Sequence, residues 1–169
     1  AGRYQNSTLD KSVVLYSYIS YAIPTFVLAL IFLYIFGFNI PIFPTSGSVD
    51  VTVDKGTIEY VWSKFYHILL PAITYALLGT TAVIQYLRSE VIDAKGQDYV
   101  RTARSKGIPI AKVYTRHIFR NSLLPIAAFL GFTITGLLGG SIFIETVFGY
   151  PGMGQLFVSS IQARDYSVI

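Results

Sequence analysis

Charged residues divide this chain into three long apolar stretches with polar segments between them. None of the 38 residues between Lys11 and Asp50 is charged, nor any of the 23 between Lys64 and Arg88, nor any of the 24 between Arg120 and Glu145. About 20 apolar residues in a helix cross the roughly 30 Å hydrocarbon core of a bilayer. The pattern therefore predicts three spans, at about 13–38, 66–87 and 123–144. Pro24 is expected to kink the first, Pro71 lies near the start of the second, and Pro125 opens the third in its first turn. Between the first two spans, residues 39–65 carry Pro41, Pro44, Gly47 and Gly56, and the run Ser48 to Asp54 alternates as a short strand would.

The segment 88–122 is patterned too. Asp98 to Lys106 contains no helix breaker and is bracketed by Gly96 and Gly107. Asp98 suits a cap or first turn, Arg104 and Lys106 suit a helix C-terminus, and Gly107 suits the stop that follows. Tyr99, Val100 and Ala103 share one small apolar face of this expected helix, with Arg101 and Thr102 off it. Ile110, Val113, Tyr114, His117 and Ile118 then recur at helical spacing, with Lys112, Arg116 and Arg120 off the stripe. They predict a second, amphipathic helix lying along the headgroups and ending before Pro125.

Composition narrows the class. Of 169 residues, 53% are hydrophobic and 13% charged, and mean hydropathy is +0.54. A soluble domain carries roughly 25% charged residues, so disorder is excluded and a membrane protein indicated. Cysteine is absent, which removes disulfides, thiolate zinc sites and cysteine nucleophiles. The two histidines, His67 and His117, have no metal-binding spacing, and the spans hold no acid or base cluster, which argues against a membrane-bound enzyme. No phosphate-binding GxxxxGK[ST] loop is present.

Charge then orients the spans. Net charge is +4, and eight of the thirteen basic residues fall in 88–122, opposed only by Glu90, Asp93 and Asp98. The positive-inside rule puts this loop in the cytoplasm, with 39–65 and 145–169 outside. The same rule explains the basic loop without nucleic acid, so no nucleic-acid partner is expected. The sequon Asn6-Ser7-Thr8 falls on the cytoplasmic side and is read as chance.

The residues Asp98-Tyr99-Val100-Arg101-Thr102-Ala103-Arg104-Ser105-Lys106-Gly107, followed by Arg116 to Pro125, resemble the cytoplasmic signature of ABC-importer permeases. Leu69-Leu70-Pro71-Ala72, Glu145 to Leu156 and Ala163-Arg164-Asp165-Tyr166 are similar to the oligopeptide, dipeptide and nickel permease group of that family. Arg101-Thr102-Ala103 stands where the short signature has Glu-Ala-Ala, and Pro125 follows Gly107 at a distance of 18 positions; both features resemble the peptide subgroup.

The resemblance implies an all-α, polytopic bundle of the type I importer permease fold in a bacterial or archaeal inner membrane. The chain would be a piece carrying three of about six spans. It implies a non-enzymatic transport subunit with no cofactor of its own, ATP being used by two separate ATPase subunits. A second homologous permease, an external solute-binding protein and the lipid bilayer complete the implied partners. The helix from Asp98 to Gly107 would be the ATPase contact, with Ala103 allowing close approach and Gly107 a sharp turn away. Gly131, Gly136, Gly139 and Gly140 are candidates for close helix packing or the transport pathway, Gly136 and Gly140 forming GxxxG. Glu145 is either a pathway carboxylate or an interfacial end charge. Nickel or another small solute remains an alternative cargo, and a channel or structural membrane protein an alternative class.

Overall fold

A computed structural model describes the backbone of residues 1–137 and 141–168 and the side chains of 1–134 and 141–168. Gly139 and Gly140 lie outside the described residues. Among the described residues every regular element is helical. In chain order the α-helices are α1 (Thr8–Ala22), α2 (Thr25–Leu33), α3 (Ile58–Lys95), α4 (Asp98–Ser105), α5 (Ile110–Val113), α6 (Arg120–Leu137), α7 (Ile142–Val147) and α8 (Met153–Ala163). The protein is thus an all-α membrane protein, with α3 and residues Ile110–Ile134 each long and apolar enough to cross a bilayer.

The helices do not coincide with the apolar stretches. Pro24 breaks the first stretch outright instead of kinking it: its ψ of 142° is not helical, and α2 begins after it. The missing proline N–H and the restriction on the preceding residue account for the break. α1 and the run Thr25–Asn39 qualify as one crossing only if taken together.

The second stretch lies inside a longer helix. α3 has 38 residues, so it is about 57 Å long. It overruns 66–87 by eight residues at each end, and Pro71 sits in its interior, well past its start. Residues 88–95 contain no glycine or proline, so nothing stops the helix at the membrane edge.

The third stretch is continuous with the amphipathic segment before it. α5, a π-type turn at Tyr114–Phe119 and α6 form one run, so Pro125 lies inside a helix and opens nothing. The alternating segment 48–54 forms no strand. Asp50 instead accepts bonds from the Thr52 N–H (2.9 Å) and hydroxyl (2.8 Å), closing a local turn that competes with extension.

The chain forms two compact units, Ala1–Ala22 with Gly79–Ile134, and Ile23–Leu78 with Thr135–Ile169. The first has a core of Val91, Ala94, Val100, Ala103, Val113 and Ile118. The second centres on Ala29, Leu70, Ile144 and Phe148, with α2 packed on α7.

Candidate functional site

The loop helix α4 is built as its sequence predicts. Asp98 is its first residue, placing a carboxylate in the first turn. At the other end Gly107 adopts φ +73°. Its N–H reaches the Arg104 carbonyl at 2.9 Å, and the Ile108 N–H reaches the Ala103 carbonyl at 3.3 Å. These are the two bonds of a Schellman stop, which needs a left-handed residue where glycine is least strained. Ile108 packs against the same core.

Of the three residues expected on the apolar face of α4, Val100 and Ala103 turn inward, whereas Tyr99, 37% exposed, lies on the outside. Val100 is 1% and Ala103 5% exposed, both packed with Val91 and Ala94 of α3 and with Val113 and Ile118. Ala103 therefore provides close approach within this chain. The outer surface consists of Asp98, Tyr99, Arg101, Thr102, Arg104, Ser105 and Lys106. Arg101 and Asp98 form an exposed ion pair at 3.5 Å, and the Ser105 hydroxyl donates to the Arg101 carbonyl at 3.1 Å. Such an exposed pair contributes little stability, so the helix is held by its buried face and its stop.

The support beneath α4 was not visible in the sequence. Arg88 of α3 grips Asp10 of α1 through two bonds, Nε to Oδ1 at 2.8 Å and Nη2 to Oδ2 at 2.9 Å. Asp10, 1% exposed, also accepts the Asn6 N–H at 3.0 Å. The Arg88 guanidinium and the Asn6 amide hold its carboxyl well below the usual carboxylate range. Lys95 donates to the carbonyls of Gly2 and Arg3, the latter at 2.8 Å. Gly2 lies so close to α3 that a Cβ there would stand 2.9 Å from Val91 Cγ1. The residues before α1 are thereby fastened to the end of α3 that carries α4.

In the second unit Glu145 is an anchor. Its Oε1 accepts the Ser141 N–H at 3.1 Å, and its Oε2 accepts the Gln155 N–H at 2.7 Å. It thus covers amides at the starts of both α7 and α8, as a carboxylate at a helix N-terminus does. Room for it depends on glycine: a Cβ at Gly152 would stand 2.4 Å from Glu145 Cδ, and one at Gly154 3.1 Å from Oε2. Glu145 also borders a cleft of about 280 Å³ with Tyr75, Ser141 and Tyr150. Gly131 faces open space, nothing lying within 4 Å of a Cβ placed there. Gly136 lies within α6.

Comparison with known proteins agrees with this architecture. The chain is 36% identical over 163 residues to the "Oligopeptide transport system permease protein AppB" of Bacillus subtilis (strain 168), covering 96% of this chain and 50% of that protein. It is 34% identical over 169 residues to the "Dipeptide transport system permease protein DppB" of Lactococcus lactis subsp. cremoris (strain MG1363), covering 100% and 51%. It is 34% identical over 146 residues to the "Glutathione transport system permease protein GsiC" of Salmonella choleraesuis (strain SC-B67), covering 86% and 43%. The chain spans about half the length of these relatives. Residues 1–169 match the family described as "Binding-protein-dependent transport system inner membrane component", and the chain belongs to that family of membrane permeases.

Proposed function

We propose that this chain is part of a permease subunit of an ATP-driven importer for oligopeptides or dipeptides, and that α4 is its contact with a separate ATPase subunit. The observation that carries this reading is α4 itself. It is a short helix, closed by a Schellman stop, seated on a buried face, with a polar outer surface. A helix that transmits force to another subunit must not slide on its own support. Val100 and Ala103 supply that seat, while Tyr99, Arg101, Thr102, Ser105 and Lys106 offer the partner a hydrogen-bonding surface.

Closure of two ATPases on ATP would push α4, and with it the cytoplasmic end of α3, as a rigid body. A second permease would complete the pathway, and an external binding protein would deliver cargo. The names of the relatives support peptide cargo over nickel. No cofactor is assigned to this chain, ATP being consumed by the partner.

The test is cross-linking from Ser105→Cys in the complete parent chain, with any other cysteines removed, in native membranes. Capture of a subunit bearing a phosphate-binding loop is the expected result. A properly inserted, accessible thiol that captures no ATPase overturns the coupling assignment.

A further inference from the structure

We propose that the first unit holds a binding site for one anionic phospholipid of the cytoplasmic leaflet, with Arg3 as its phosphate ligand. A cleft of about 260 Å³ opens there between the residues before α1, α3 and the π-type turn. Its lining combines apolar and basic side chains. Val13, Ile84 and Leu87 lie toward the ends of apolar stretches, at the depth of acyl chains, and Val91 and Phe119 continue the apolar lining past Arg88. Arg88 directly follows the second apolar stretch, at the depth of phosphates, and Arg3 reaches the same cleft from the residues before α1.

The two arginines are not equivalent. Arg88 is neutralised by Asp10. Among the described residues no carboxylate pairs with Arg3. Its guanidinium is instead held between two rings, 5.1 Å from the centroid of Tyr4 and 4.9 Å from that of Tyr114. Ring contacts orient a guanidinium and leave its N–H groups free for an anion. Lys95 fixes the backbone beneath it by bonding the Arg3 carbonyl. An oriented guanidinium with no carboxylate partner among the described residues, in a largely apolar cleft, matches an amphipathic phosphodiester, and basic pockets between membrane helices recognise such headgroups. A free phosphate would satisfy only half of the cleft. This site is independent of cargo and of the ATPase contact.

The test is lipid titration of the complete transporter, purified in detergent, read by native mass spectrometry. Wild type is expected to retain phosphatidylglycerol over phosphatidylcholine. Arg3→Gln is expected to weaken phosphatidylglycerol binding about fivefold, the worth of one interfacial basic residue. Lys112→Gln, which removes the same charge from the exposed side of α5, should leave binding unchanged. Glycerol 3-phosphate, which lacks acyl chains, should not displace the lipid at equal concentration. Equal binding by wild type and Arg3→Gln overturns the proposal. So does wild type without headgroup preference, as when another part of the complete chain fills the cleft. Displacement by glycerol 3-phosphate overturns the lipid assignment in favour of a simple phosphate site.

Discussion

Glu145 shows how one side chain can close a turn through backbone alone. Its two oxygens hold the amides of Ser141 and Gln155, and charge-assisted hydrogen bonds of this kind contribute about 1.5–3 kcal/mol each. Glu145→Ala should therefore raise amide hydrogen exchange at Ser141 and Gln155 by tenfold or more; unchanged exchange would show that the bonds are not made in the membrane. Glycine is demanded beside it for the same reason. Gly152→Ala puts a methyl group 2.4 Å from the carboxylate carbon, whereas Gly131→Ala meets nothing within 4 Å. The first substitution should lower the thermal midpoint of the purified permease, and the second should leave it unchanged or slightly raised. Sequence reading found Glu145 as a charge ending an apolar stretch. It could not see that the partners are backbone amides, which carry no residue signature; the glycines at 152 and 154 were the available clue.

At the scale of the element, α4 depends on two things the sequence carries differently. Its stop is local: Gly107 at φ +73° sits one residue past the C-cap, and glycine spacing alone predicted it. Gly107→Ala should cost roughly 1–2 kcal/mol through left-handed strain. Its seat is not local. Val100 lies against Val91, Val113 and Ile118, and removing two buried methyl groups costs about 2 kcal/mol. If α4 opens locally, Val100→Ala should speed tryptic cleavage at Arg101, Arg104 and Lys106 roughly thirtyfold, as the open population rises by that factor. An unchanged rate would mean that α4 opens only with the whole unit. The helical face was legible in Val100 and Ala103, though not in Tyr99, which lies outside, and its direction was not legible, because an apolar face serves equally to bind a neighbour or its own support. Helix ends were misjudged for a related reason. Hydropathy marks where lipid begins, whereas α3 ends at Gly96, the first helix breaker after the apolar stretch.

At the scale of the molecule, the first unit is fastened by the bond between Asp10 and Arg88, 78 residues apart. No periodicity or spacing connects such residues, so in the sequence Arg88 reads only as a charge bounding an apolar stretch and Asp10 carries no signal. Because the Asp10 carboxyl is depressed below its ordinary value, its contribution to stability is complete above the unfolded carboxylate range, near 3.9. It fades as pH falls through that value toward the folded one. The thermal midpoint of the intact permease should thus show no change from this pair between pH 8 and 5, and should fall below about pH 4. Asp10→Asn should start lower at neutral pH and lose part of that acid dependence; an identical acid profile would mean that the pair is open in the membrane. The same separation has a consequence for biosynthesis. At about 5–20 residues per second, the ribosome delivers Arg88 roughly 4–16 s after Asp10. For that interval α1 stands at the translocon with an unanswered carboxylate. Only when the second apolar stretch has been made does the guanidinium arrive, so the pair can form only in a chain whose first two apolar stretches leave Asp10 and Arg88 on one side of the bilayer.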